Sequence, residues 1–145
     1  MKITIAELLP GEEEEIVVKC RDLHPEILKL LNRIKSFGSF IMGYLDGEAF
    51  SLNPADIFYV EAVDRAVFLY DESHVYESKK RLYELEETLA AYDFVRISKS
   101  VIVNMRKIKS IVPSQAVRLT VVMRNGEKLI CSRQYVNDFK KHLGM

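Results

Sequence analysis

Two short stretches hold the residue types that grip a phosphate. In Phe94-Val95-Arg96-Ile97-Ser98-Lys99-Ser100-Val101-Ile102-Val103-Asn104, apolar positions alternate with cations and hydroxyls. A strand burying Phe94, Val101 and Val103 would present Arg96, Ser98, Lys99 and Ser100 on its edge or in a tight connection. Phosphate contacts need this mixture: long cations for charge, hydroxyls and backbone N–H groups for position. A solvated strand edge also carries lysines, as a guard against edge-to-edge pairing, so for Lys99 both readings stay open. The second stretch is Ser132-Arg133-Gln134-Tyr135. With Ser132 as an N-cap, Arg133 and Gln134 fall in a first helical turn, where side chains and free N–H groups can face an anion. Arg and Gln also have the geometry for bidentate contacts with guanine and adenine edges.

Other chemistries find little support. His24, His74 and His142 are scattered, and none has an i, i+4 ligand partner, so the pattern predicts no metal site. The chain has no P-loop and no dinucleotide fingerprint, and no Ser or Cys stands in a nucleophile elbow. A non-enzyme without cofactor or small-molecule substrate is expected. Cys131, directly before Ser132, is a conceivable oxidant sensor, but a small buried hydrophobe at a strand end is the simpler role.

Charge adds a second signal. Net charge is zero, with 21 cations and 21 acids in 145 residues. Residues 1–95 carry 10 Lys+Arg against 19 Asp+Glu, a balance of −9, and residues 96–145 carry 11 against 2, a balance of +9. A one-sided cationic half suits a polyanionic partner; the competing reading is that the halves neutralise each other on folding. The apolar runs are far shorter than the ~20 residues that cross a bilayer. Two cysteines are too few for a disulfide scaffold, and a reducing, cytoplasmic setting is expected.

The elements that would position these residues are mostly strands. Glu15–Cys20 reads as a strand, followed by a helix that opens near His24-Pro25, carries Ile27, Leu28, Leu30, Leu31 and Ile34 on one stripe, and stops at Ser36-Phe37-Gly38-Ser39. This strand–helix unit, residues 1–39, is too small to stand alone and is expected to dock or dimerise. From Phe40 the signal is a run of hairpins: Ile41–Leu45 and Glu48–Leu52 around Asp46-Gly47, a capped turn at Asn53, then Ile57–Glu61, Val67–Tyr70 and Val75-Tyr76. A helix is predicted over Ser78–Ala90. Strands follow at Phe94–Ile97, Val101–Val103, Ile108–Val112, Val117–Met123 and Lys128–Cys131, the last two joined at Asn125-Gly126, and a helix over Arg133–Leu143 closes the chain.

Residues 40–143 resemble the LytTR DNA-binding domain of bacterial response regulators and competence or bacteriocin regulators. The matching elements are Ile57-Phe58-Tyr59-Val60-Glu61-Ala62, Leu82-Tyr83-Glu84-Leu85-Glu86, the Phe94–Asn104 string, Ile108, Ile111, Asn125-Gly126-Glu127, and Ser132-Arg133-Gln134-Tyr135-Val136. The resemblance implies a mainly β fold: an elongated antiparallel domain of small packed sheets with short helices, over 40–145, preceded by the strand–helix unit. It implies a sequence-specific regulator of transcription, without a recognition helix, whose loops enter successive major grooves of double-stranded DNA. Carried over position by position, the DNA-binding set is Arg65 in the first loop, Arg96, Ser98, Lys99, Ser100 and Asn104 around the central one, and Ser132, Arg133 and Gln134 in the third. Where relatives often carry a second basic residue, this chain has Gln134. With only 39 residues upstream there is no room for a receiver domain, and the chain resembles stand-alone regulators controlled by a membrane-protein partner or by abundance. A homodimer is expected. The alternative is a protein–protein interaction module whose basic half merely balances the acidic one; for it, the Ile27–Ile34 stripe should be exposed. The regulator requires Lys99 and Arg133 to stand on one exposed ridge, free of the amino-terminal acids.

Overall fold

The computed structural model describes residues 1–35 and 40–145. The expected end of the first helix and the expected unit boundary fall at 36–39, outside the described residues. Among the described residues, ten strands and three α-helices form: α1 Pro25–Lys35, β1 Ile41–Leu45, β2 Glu48–Leu52, β3 Tyr59–Val63, β4 Ala66–Tyr70, β5 Val75–Ser78, α2 Leu82–Leu89, β6 Phe94–Arg96, β7 Val101–Asn104, β8 Ile108–Pro113, β9 Leu119–Met123, β10 Lys128–Cys131 and α3 Val136–His142. All pairings are antiparallel, in a seven-stranded sheet ordered β2-β1-β5-β4-β3-β7-β6 and a three-stranded sheet ordered β10-β9-β8. The mainly β architecture expected from the residue pattern is the one observed.

Strand alternation builds two cores from one sheet. Val60, Val67, Leu69, Phe94 and Ile102 point to the face covered by α2, whose Leu82, Leu85 and Leu89 are buried there. Each such leucine contributes roughly 1.5–3 kcal/mol. The intervening residues Tyr59, Val95, Val101 and Val103 point to the opposite face. There the small sheet packs through Leu119, Val121 and Met123, and α3 through Val136 and Phe139. Tyr59 ties the layers: its ring stacks on Tyr70 with centroids 4.2 Å apart, and its hydroxyl donates to Glu127 at the β9–β10 turn. Burial first, then the Glu127 carboxylate, raise the Tyr59 phenol well above its ordinary value, so it stays a donor. Gly43 is needed where β1 passes Tyr76, because a Cβ there would meet Leu52 Cδ1 at 2.7 Å and Tyr76 Cβ at 2.8 Å.

Several sequence expectations are corrected. Glu15–Cys20 forms no ladder; the β-branched run pairs with no strand of the sheets, and propensity alone does not make a strand. The second helix begins at Leu82, because Val75–Ser78 is spent pairing with β4. Strand β9 begins at Leu119, because Ala116 and Val117 adopt left-handed backbone (φ 57° and 60°) in the preceding loop. The last helix begins at Val136, after a 3₁₀ turn over Arg133–Tyr135.

Helix α1 opens at Pro25, where a missing N–H costs nothing, and docks on the β domain. Ile27 is buried, Leu30, Leu31 and Ile34 are half-buried, and Leu28 faces outward. Lys29 and Arg33 reach Asp93 at 2.6 and 3.5 Å, and Arg106 reaches it from the other side at 2.8 Å. Burial raises the Asp93 carboxyl, but these cations outweigh it and hold it below its ordinary value. Among the described residues, no helix is long and apolar enough to cross a membrane.

Candidate nucleic-acid interface

Three connections meet at one end of the sheets. The hairpin β3–β4 turns over Asp64-Arg65, whose left-handed φ values of 48° and 69° are those of a two-residue turn matched to strand twist. The hairpin β6–β7 turns over Ser98-Lys99-Ser100, closed by Ile97 N–H on Val101 O at 3.0 Å. The third is the Ser132–Gln134 segment leading into the 3₁₀ turn. Backbone hydrogen bonds lock them side by side: Ala62 N–H donates to Ser100 O at 2.8 Å, and Ser132 N–H donates to Ile97 O at 2.9 Å.

The central and third connections, together with the β8–β9 loop, enclose an open cleft of about 430 Å³ lined by Ser98, Lys99, Ser100, Ala116, Arg118, Ser132, Arg133 and Gln134. Its lining holds three cations, three hydroxyls and an amide, and no carboxylate. Lys99, Arg118 and Arg133 are exposed, and among the described residues none of them is in an ion pair. The required juxtaposition of Lys99 and Arg133 is therefore met, and the amino-terminal acids do not neutralise them. Three unpaired cations within one concavity attract anions more strongly than they would if dispersed, because the low-dielectric walls focus their field. Arg65 is exposed on the neighbouring turn but does not line the cleft.

Two expected contact residues face inward. Arg96 curls back over its own loop: Nε donates to Ser98 O at 2.7 Å, Nη2 to Lys99 O, and Nη1 to Glu86 of α2 at 3.0 Å. Its five-donor fork is occupied by holding the Lys99 loop in shape. Asn104 is buried; its amide donates to Ile57 O at 2.8 Å and its Oδ1 accepts Arg106 N–H at 3.0 Å, capping a 3₁₀ turn over Met105–Lys107. Its polar atoms are spent, and it presents nothing to a ligand. Ser98 and Ser132 are partly engaged. The Ser98 hydroxyl accepts Ser100 N–H at 3.2 Å, and the Ser132 hydroxyl donates to Ile97 O at 3.4 Å instead of capping the helix.

Arg118 belongs to the cleft; on sequence it counts, with Arg106, Lys107, Lys109 and Arg124, only as a contributor to a long-range field, because a strand predicted from Val117 gives it no place in a site. Pro113-Ser114-Gln115 was the available signal of a turn just before it. The remaining cations of the basic half are partly consumed: Arg106 by Asp93, Arg96 by Glu86, and Lys107 over the Phe58 ring at 5.2 Å. Neutralisation between the halves is real but does not reach the cleft.

Comparison with known proteins points the same way. The sequence model of the LytTr DNA-binding domain family matches residues 47–144. A sensory transduction protein LytT of Enterococcus faecalis (strain ATCC 700802 / V583) is 35% identical over 92 residues, 63% of this chain but only 38% of that protein. An uncharacterized HTH-type transcriptional regulator of Staphylococcus aureus (strain MSSA476) is 24% identical over 147 residues, covering 100% of this chain and 99% of its own length. Among solved structures, a LytTr DNA-binding domain from Bacillus cereus superposes with a TM-score of 0.70 at 29% identity, covering 74% of this chain and 98% of that one.

Proposed function

Since the chain belongs to the LytTr DNA-binding domain family, we propose that it regulates transcription by gripping a promoter duplex with the three connections at the end of its sheets. The observation that carries this reading is the cleft in which Lys99, Arg118 and Arg133 stand unpaired among the hydroxyls of Ser98, Ser100 and Ser132. Lys99 and Arg118 serve as phosphate contacts, with Ser100 and Ser132 positioning the backbone between them. Arg133 and Gln134, exposed on a short turn, and Arg65, on the adjacent hairpin, reach base edges in successive major grooves. Ser98 shapes the central loop, and Arg96 and Asn104 hold the scaffold behind it.

The reading of the chain as a mere interaction module loses its main support, because Ile27 is buried against the β domain and most of the α1 stripe is covered. A homodimer formed through the N-terminal unit, a cytoplasmic location and control by a membrane-protein partner accompany the regulator reading, the last by family analogy alone.

The test is fluorescence-anisotropy titration of the protein against a duplex of its own upstream region at several salt concentrations. Affinity should fall steeply with salt, by about 0.9 in logarithmic slope for each phosphate neutralised. Lys99→Ala and Arg118→Ala should each lower that slope by about 0.9, and Arg133→Ala should cost about 1–3 kcal/mol while relaxing base preference. A salt-insensitive complex, or wild-type affinity in all three variants, refutes the reading.

A further inference from the structure

Residues 1–24 belong to neither core. Their path is nevertheless ordered by a turn at Leu9–Glu12. Pro10 fixes its first central position, and Gly11, at φ 89°, supplies the left-handed second one. Glu12 N–H closes the turn on Leu9 O at 3.1 Å, and Leu9 N–H donates to the Glu12 carboxylate at 2.9 Å. The segment doubles back, so that Ala6 and Leu8 share a cleft with Glu14, Glu15 and Ile16. The result is a two-limbed arm with no ladder between its limbs.

The arm's composition does not suit water. Ile3, Ile5, Leu8, Leu9, Ile16 and Val17 are between 50% and 95% exposed. A lone two-limbed ribbon is marginal in water, and backbone groups left without a ladder are open to pairing with another chain. Its charge pattern bears on what would cover it. The turn end is acidic, with Glu7 and Glu12–Glu15, while the open end carries the Met1 amine, Lys2, Lys19 and Arg21 against Asp22. Among the described residues, none of these charges is in an ion pair. The run Glu12–Arg21 complements itself. Set antiparallel to a second copy about Ile16-Val17, it pairs Glu14 with Lys19 and Glu12 with Arg21, twice over by symmetry. DNA, by contrast, would be repelled by the acidic end.

We infer that this arm is a dimerisation device: two copies cross arms antiparallel about a two-fold axis, burying the exposed isoleucines, leucines and valines and matching each acidic turn end to the partner's basic open end. The inference rests on the homodimer reading above and supplies its mode. A dimer joined this way couples two DNA-binding domains through α1, which tethers each arm to its domain by the Asp93 cluster.

Sedimentation equilibrium of the full chain without DNA tests it. Wild type should dimerise reversibly. Ile5→Asp/Ile16→Asp should raise the dissociation constant at least about tenfold, since two apolar anchors are lost from each copy. Lys19→Glu should weaken the dimer, and Glu14→Lys added to it should restore most of the loss. These positions lie outside both cores, and an unchanged thermal midpoint will confirm that the domain remains folded. A wild-type chain that stays monomeric overturns both the homodimer and the arm. A dimer that survives Ile5→Asp/Ile16→Asp leaves the homodimer standing and overturns the arm, and so does a charge swap that fails to rescue.

Discussion

Replacing Arg96 with glutamine separates holding the central loop from touching DNA. The guanidinium donates to Ser98 O at 2.7 Å, to Lys99 O and to Glu86 at 3.0 Å, with its side chain 22% exposed. Glutamine is too short and has too few donors to serve all three acceptors. Hydrogen bonds from a charged donor are worth about 1.5–3 kcal/mol each, so even after discounting for solvent the loop loses its main restraint. Three residues, Ser98 to Ser100, must then be re-ordered on binding at roughly 1 kcal/mol each, which lowers DNA affinity about 150-fold. The assay is a double-mutant cycle: anisotropy titrations of wild type, Arg96→Gln, Lys99→Ala and the double variant, with circular dichroism confirming that all are folded. If Arg96 acts through the Lys99 loop, the double variant binds about as well as Lys99→Ala alone, a coupling of at least about 1 kcal/mol. Effects that add within about 0.5 kcal/mol, with a further drop of about 0.9 in the salt slope, would make Arg96 a phosphate contact itself and refute the reasoning.

Other consequences follow from the same structure. Asn104→Ala removes a buried amide from Ile57 O and a cap from Arg106 N–H, and should cost about 1–3 kcal/mol in urea denaturation while leaving the salt slope of DNA binding unchanged. Asp93 has a carboxyl held below its ordinary value in the folded chain, so its contribution is present above the unfolded value near pH ~4 and is lost as pH falls through the lower folded value. Asp93→Asn should therefore lower the denaturation midpoint at neutral pH and flatten its fall in acid; an unchanged acid limb would contradict this. Cys131 is buried, and burial pushes its thiol up to about 11, whereas Cys20 is exposed. A thiol reagent at neutral pH should modify one cysteine in the native protein and two after denaturation, and peroxide should leave DNA binding unaltered.

The strands were legible in the sequence because alternation and turn chemistry agreed: Ile41–Leu45 and Glu48–Leu52 around Asp46-Gly47, and Lys128–Cys131, form as the pattern indicated. Pro25 marked the start of α1 for a similar reason, since its missing N–H suits only that position. What escaped was side-chain direction and pairing. Period-two reading puts Arg96 on an exposed edge, but its length lets it curl back onto the carbonyls of the residues just after it. Asn104 looks like a polar edge residue, and only the tertiary approach of Ile57 reveals a buried cap. Arg118 was hidden by a run of β-prone residues whose start was set by left-handed backbone at Ala116 and Val117, which no residue preference foretells. The Glu15–Cys20 segment has strand chemistry without a partner inside the chain. Residue type and local turn suffice to single out Lys99 and Arg133 as candidates; that they share one cleft required the fold.

Selection of bound sequences from a random duplex pool, run in parallel with wild type, Lys99→Ala and Arg133→Ala, tests the central claim most directly. Wild type should enrich one motif whose base preferences fall in groups about 10 bp apart, one helical turn. Lys99→Ala should recover that motif more weakly, and Arg133→Ala should lose the preference in a single group. No enrichment by wild type, or the same motif at the same affinity in both variants, would contradict the claim that these loops read DNA.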